Sequence, residues 1–285
     1  MPGTSTQRFA ARVKAMTMKY RNEPFEYAKG NMVPGMTKDK ACISTDLLQH
    51  RAREDGSYDE EEILKDAIAN IYLAGVETII CAKVIFFIAM ALHPAAQNKA
   101  QEEIDRVVGP HRLVTFKDRT SLLYVEALYR EVLRWRPVAP LGFPHSTIRD
   151  EVYQGYHIPK GCFVIANIWA MTRDEATYPE PEAFRPERFF LQSGLLNDDD
   201  MGYVFGFGRR ICPGRYMADS VLWLMMASVL STFNIAKAKN GNGTDIDIDL
   251  DAFSDTVVSQ PPSFQCSILP RSEQAAERVH ALLES

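Results

Sequence analysis

The chain has 285 residues, enough for one large domain or two modest ones. With 46% hydrophobic and 24% charged residues the composition is ordinary for a globular protein, which excludes a disordered or collagen-like chain, and a net charge of −5 argues against nucleic acid as the main partner. The five cysteines, Cys42, Cys81, Cys162, Cys212 and Cys266, are odd in number, widely spaced and contain no C-x-x-C pair, so neither a disulfide framework nor a zinc ribbon is expected.

Residues 1–56 are mixed and polar, and the pairs Pro2-Gly3 and Pro34-Gly35 predict short helical pieces. From Ser57 the pattern changes. Ser57-x-x-Glu60 reads as a capping box, acidic residues follow, and an apolar face recurs at Ile63, Ala67, Ile71, Ala74, Cys81 and Ile85. The helix is expected to end at about Leu92, where His93-Pro94 stops it, giving a rod about 50 Å long that crosses the middle of a large domain. Its most apolar run, residues 79–92, contains Lys83 and is shorter than the roughly 20 residues a bilayer requires, so no span is expected. The N-terminus lacks the apolar core of a signal peptide, and the chain reads as a reduced, cytoplasmic polypeptide.

Further helices are expected at about 97–108, 121–135 and 215–233, with strand-like runs at 152–157 and 162–166 around turns at Gln154-Gly155 and Pro159-Lys160-Gly161. The proline-rich stretch 178–190 is irregular, and 240–251 reads as a surface loop before a C-terminal strand region. The expected fold class is mainly α with a small β component, without repeats or an internal linker.

The segment with the most chemistry is Phe205-Gly206-Phe207-Gly208-Arg209-Arg210-Ile211-Cys212-Pro213-Gly214. A thiol beside a helix N-terminus and two arginines has its thiolate favoured, and thiolate is the form that binds metals. Gly208 and Gly214 let the backbone approach a flat ligand, Arg210 can pair with a carboxylate, and Phe205 offers a ring to an apolar face. These features describe a loop that cradles a large, planar, acid-bearing cofactor whose metal Cys212 ligates; the plainer alternative is a small cysteine packed in a glycine-rich turn. Upstream, Ala74-Gly75-Val76-Glu77-Thr78 sits inside the long helix. A helical glycine costs roughly 1 kcal/mol against alanine, so Gly75 either makes room for a small ligand over a metal or lets helices pack closely. Glu77 and Thr78 supply an acid and a hydroxyl suited to relaying protons.

Phe205-x-x-Gly208-x-Arg210-x-Cys212-x-Gly214 resembles the haem-binding loop of a cytochrome P450. The resemblance implies that Cys212 is the proximal thiolate and only metal ligand, that Arg210 pairs with a haem propionate, and that the cofactor is haem b. It makes Gly75, Glu77 and Thr78 the oxygen-binding kink, with the acid and alcohol as the catalytic pair that delivers protons; Ile79 departs from the family, which usually places Thr or Ser there. Glu131-x-x-Arg134 with the later Pro186-Glu187-Arg188-Phe189 resembles the family's structural triad of Glu131, Arg134 and Arg188. His145, otherwise a plain loop histidine, matches a propionate contact, whereas Trp169-x-x-x-Arg173 only imitates one.

The resemblance runs from about residue 60 to 270, is closest to fungal microsomal members, and implies an incomplete cytochrome P450 fold lacking the N-terminal half. The chain then divides into a helical lead-in (1–56), the long helix (57–92), a haem-binding core (93–270) and a C-terminal tail (271–285) of one partial domain. Two readings follow. One is a haem-thiolate monooxygenase of fungal secondary metabolism, a monomer receiving electrons from an NADPH-cytochrome reductase-type flavoprotein, whose full-length relatives sit at the endoplasmic reticulum. The other is a truncated, non-catalytic product that does not hold haem stably. The residues matching substrate-contact segments, Ala74, Thr78, 138–141 and 257–259, are small or apolar, implying a hydrophobic small-molecule substrate. The basic face of Arg209, Arg210 and Arg215 suits an acidic electron donor.

Overall fold

The computed structural model describes residues 4–31, 42–53 and 57–283. Two compact units divide the chain between Glu77 and Thr78.

The first unit holds α1 (Thr4–Gly30), α2 (Ile43–Arg51) and the start of α3 (Glu61–Leu92). The expected short pieces give way to one 27-residue helix, because residues 4–23 are mostly good helix formers without glycine or proline, and Pro24 falls within the last two turns. The Pro2-Gly3 and Pro34-Gly35 pairs lie outside the described residues. Phe25 and Ala28 of α1 bury against Leu48 of α2 and Leu64 and Ile68 of α3, with Leu47 and Tyr58 at the margin. Arg21 ties α1 to α3 through Asp66, the Glu62 carboxylate at 2.7 Å and the Glu62 carbonyl at 3.1 Å.

The start of α3 differs from expectation. Ser57 belongs to a small antiparallel bridge in which its carbonyl accepts from Arg53 N at 2.9 Å and Tyr58 faces Ala52, so the helix opens four residues later. Glu60, at φ 53°, supplies the carbonyl that caps it, accepting from the Ile63 and Leu64 N–H groups. The buried stripe here is Leu64 and Ile68, while Ile63 and Ile71 face out. Tyr72, Leu73, Val76 and Ile80 are also exposed, so α3 is not enclosed along its whole length; most residues from Cys81 onward are buried, with Lys83, Val84 and Phe87 half-buried. By length and composition α3 is the one described helix that could cross a membrane. Cys81, Ala82, Ile85, Phe86, Ile88, Ala89 and Met90 instead pack into protein, as in a core helix.

The second unit builds its core from the C-terminal half of α3 with α4 (Pro94–Val107), α5 (Leu123–Trp135) and α7 (Arg215–Thr232). The break at His93-Pro94 is as expected, with Pro94 at the first position of α4. Among the described residues there are three two-stranded antiparallel sheets: β1 (His145–Ser146) with β4 (Phe163–Val164), β2 (Glu151–Tyr153) with β3 (Tyr156–Ile158), and β5 (Phe233–Lys237) with β6 (Cys266–Pro270). Gln154 and Gly155, both at positive φ, close the β2–β3 hairpin at the expected turn. Gln97 of α4 brackets Ile235, donating to its carbonyl and accepting from its N–H, both at 2.8 Å, which fixes β5 against the helices. A one-turn helix, α6 (Ile168–Met171), follows β4. The segment expected as a tail forms α8 (Glu273–Leu283), whose Ala275 is buried.

Candidate functional site

All of the cysteine loop lies in the second unit, between two 3-10 turns and α7. Gly202–Phe205 forms the first turn; Gly206 reverses the chain at φ 87°, ψ −165°, a conformation open essentially to glycine; Gly208–Arg210 forms the second turn with Gly208 at φ 58°. The Cys212 N–H donates to the Phe205 carbonyl at 2.8 Å, so the loop closes on itself and brings those two predicted residues together. Gly214 caps α7, accepting from Ala218 N at 2.9 Å, and a Cβ on Gly214 would lie 3.9 Å from Cys212 Sγ. Arg215 returns from the first turn of α7 to donate to the Cys212 carbonyl at 3.2 Å. The thiol is half-exposed at the positive end of an 18-residue helix, which excludes a fully packed cysteine. The Arg210 guanidinium is exposed and has no hydrogen-bond or ion-pair partner among the described residues.

Behind the loop, Glu131 and Arg134 of α5 are fully buried. Arg134 Nε and Nη2 donate to the two Glu131 oxygens at 2.7 and 2.9 Å, and Arg188 Nε reaches Glu131 Oε2 at 3.1 Å. The predicted triad is thus assembled in space. Arg134 also donates to the carbonyls of Thr172 at 2.9 Å and Ala183 at 3.3 Å, and the Arg185 N–H donates to Glu131 at 2.7 Å. Burial lowers the Arg188 pKa from its ordinary value, with the Glu131 carboxylate pulling the other way.

Tyr178, Asp199, Tyr203 and Gly206 were not among the predicted residues. Arg134 lies 5.6 Å from the Tyr178 ring, whose hydroxyl donates to Asp199 at 2.6 Å and sits 2.9 Å from the Tyr203 hydroxyl. Tyr203 belongs to the turn entering the cysteine loop, so the buried ion network connects to the thiol-bearing segment through two phenols. Only Gly206 carried a sequence signal, in Phe-Gly-Phe-Gly.

The other predicted residues are placed separately. His145 lies on β1, paired with Val164 of β4; its side chain is exposed and has no hydrogen-bond or ion-pair partner among the described residues. Gly75 and Glu77 belong to the first unit and Thr78 opens the second, consecutive on α3; Glu77 and Thr78 are half-buried. Among the described residues nothing stands within 4 Å of a Cβ placed on Gly75. The Arg173 guanidinium lies 3.1 Å from the centre of the Trp169 ring and donates to Glu182 at 2.9 Å and the Trp135 carbonyl at 3.0 Å. Burial pushes the Arg173 pKa down to about 10. Two expected substrate-contact segments meet: Ser259 N donates to the Val138 carbonyl at 2.9 Å, and the Cys81 thiol, one turn beyond Thr78, donates to the Ser259 carbonyl at 3.2 Å.

Comparison with known proteins agrees with this geometry. The family model Cytochrome P450 matches residues 2–267, so it extends back over most of the polar lead-in 1–56, which by itself points to no family. Cytochrome P450 monooxygenase 136 of Postia placenta is 40% identical over 284 residues, covering 99% of this chain and 53% of that protein. Cytochrome P450 monooxygenase ple1 of Rhodocybe pseudopiperita is 41% identical over 284 residues, 54% of its length. O-methylsterigmatocystin oxidoreductase of Aspergillus flavus is 38% identical over 282 residues, 52% of its length. The chain therefore spans about half the length of the curated relatives it matches. A family match over most of the chain, joined to a closed thiol loop and a buried Glu-Arg-Arg network, makes this chain a member of the cytochrome P450 family.

Proposed function

We propose that the chain contributes the haem-binding portion of a haem-thiolate monooxygenase acting on a hydrophobic organic substrate. The observation that carries the reading is the half-exposed Cys212 thiol at the N-terminus of α7, in a loop closed by the Cys212–Phe205 hydrogen bond and carrying an unpartnered Arg210. The donor set suits haem b. Cys212 offers one half-exposed thiol to an iron, and the exposed Arg210 is available to a carboxylate on the rim of a macrocycle. When bound, that group would supply oxygen activation, inserting one atom of O2 into substrate.

The chain's own residues would do the rest. Cys212 would hold the iron through its sulfur, presented at the N-terminus of α7. Arg210 would neutralise one carboxylate, with His145 as a second contact, while Phe205, Gly208 and Gly214 would shape the cradle and Gly75 would leave space on α3. Thr78 would hold a proton at its hydroxyl, and Glu77 would exchange it with solvent. Residues 138–141 and 257–259, joined through Val138 and Ser259, would exclude water from an apolar substrate. Electrons would come from an NADPH-dependent flavoprotein reductase docking on the basic face of Arg209 and Arg210. Attachment to the endoplasmic reticulum and the arrangement of 1–285 as one partial domain belong to the same proposal.

The test is to express the chain with haem available, reduce it, add carbon monoxide and record the difference spectrum. A red-shifted Soret band from wild type and from Cys81→Ser, lost or blue-shifted in Cys212→Ser, is the expected result. Identical spectra for wild type and Cys212→Ser would end the reading.

A further inference from the structure

The first turn of α7 is poorly anchored by packing. Tyr216 and Met217 are 71% and 61% exposed, and the first fully buried side chains of the helix are Leu222 and Trp223, two turns in. Yet this first turn carries the cap that orders the cysteine: Ala218 N bonds the Gly214 carbonyl, and Arg215 bonds the Cys212 carbonyl. Helix ends held only by such bonds fray. What restrains this end is Asp219. Arg119, from the 3-10 segment Phe116–Ser121, donates to its two carboxylate oxygens at 2.6 and 2.8 Å, a planar fork on a planar acid. The same guanidinium is held by Glu126 of α5 at 2.9 Å and sandwiched by rings, 5.2 Å from Trp223, one turn beyond Asp219 on α7, and 5.5 Å from Tyr129 of α5. Asp219 and the buried phenol of Tyr129 also interact, which together with burial raises the Tyr129 pKa.

We infer that Arg119 and Asp219 are positioning residues for Cys212: the clamp pins the start of α7 to α5, and through the Gly214 cap it holds the thiol-bearing loop in one conformation. The inference takes Cys212 to be the metal-holding thiol of the proposed function, but the clamp itself is read without haem. A guanidinium gripping two successive turns of α7 while braced on α5 leaves the helix end little freedom to slide or unwind.

Hydrogen exchange on the 285-residue chain tests it directly, comparing wild type, Asp219→Asn, Asp219→Glu and Glu126→Gln. In Asp219→Asn the amides of Cys212 and Ala218 should exchange about tenfold faster or more, while those of Leu128 and Val132 in α5 stay within about twofold. Asp219→Glu, which keeps the charge and the fork, should recover most of the protection. Glu126→Gln, which weakens the brace on α5 but keeps one acceptor and the grip on Asp219, should loosen the loop by less than Asp219→Asn. Unchanged loop exchange in Asp219→Asn overturns the inference. So does loss of protection that is equal in α5 and the loop, or a Glu126→Gln loop that exchanges as in wild type. A haem reading that fails in the carbon monoxide experiment leaves these exchange results standing, so the two failures are distinguishable.

Discussion

Replacing Glu131 by Gln tests the buried network behind the cysteine loop with almost no change of shape. The Glu131 carboxylate accepts from Arg134 at 2.7 and 2.9 Å, from Arg188 at 3.1 Å and from the Arg185 N–H at 2.7 Å, and both Glu131 and Arg134 are 0% exposed. An amide keeps one acceptor, turns its NH2 toward donors, and strands two guanidinium charges away from water. Removing one partner of a buried ion pair costs about 3–5 kcal/mol, a large share of the roughly 5–15 kcal/mol that stabilises a typical domain. Trp135, Trp169 and Trp223 all lie in the second unit, so urea unfolding followed by tryptophan fluorescence reports on that unit alone. The control is Glu182→Gln: its carboxylate pairs with Arg173 at 2.9 Å but is 68% exposed, and such a pair contributes about 0–1 kcal/mol. A Glu131→Gln loss below about 1 kcal/mol, or one equal to that of Glu182→Gln, would refute the account of a charge network held by mutual compensation.

Three further outcomes are expected. Gly206→Ala should destabilise the second unit by about 1–3 kcal/mol through backbone strain at φ 87°, although nothing stands within 4 Å of the added methyl; a loss under about 0.5 kcal/mol in urea unfolding would show that the turn relaxes freely. His93, stacked 4.9 Å from Phe184 with its Nε2 buried and without a hydrogen-bond partner among the described residues, has its pKa lowered by burial from 6.5. The unfolded chain then takes up this proton first, so the contribution is complete above pH 6.5 and is lost as pH falls through the depressed folded-state value; His93→Phe should flatten stability against pH between about 7.5 and 5, and an unchanged slope would contradict the assignment. Reversing Arg209 to Glu should slow reduction by a flavoprotein more at low salt than at high salt, because steering between exposed charges is screened beyond about 10 Å at 0.1 M; equal slowing at both would remove the docking face from the proposal.

Much of the site was legible locally because its constraints are local. A glycine-rich turn, a cysteine and a helix start are neighbours in the chain, so Phe205-x-x-Gly208-x-Arg210-x-Cys212-x-Gly214 already carried the closed loop and the cap of α7. His93-Pro94 marked a helix boundary for the same reason, since proline acts on the residue beside it. Periodicity placed α4, α5 and α7 within a few residues, because a stripe facing one core repeats with the helix turn.

What depended on distant partners could not be read that way. Ser57-x-x-Glu60 has the letters of a capping box, but pairing of Tyr58 with Ala52 took those residues into a bridge and moved the start of α3. Ile63 and Ile71 fit the same helical period as Leu64 and Ile68, and only Phe25 and Leu48 packing onto α3 decided which stripe was buried. Glu131-x-x-Arg134 is as common a spacing as Glu103-x-x-Arg106; fold brought Arg188 and the carbonyls of Thr172 and Ala183 around it and turned an ordinary i, i+3 pair into a fully buried charge network. The grip of Arg119 on Asp219, a hundred residues away, left no mark in the sequence at all. Sequence by itself determined the glycine-rich cysteine loop and the family, because those rest on contiguous residues; tertiary structure alone decided which charges are buried and how Arg119 reaches Asp219, because desolvation and long-range pairing exist only once the chain has closed on itself.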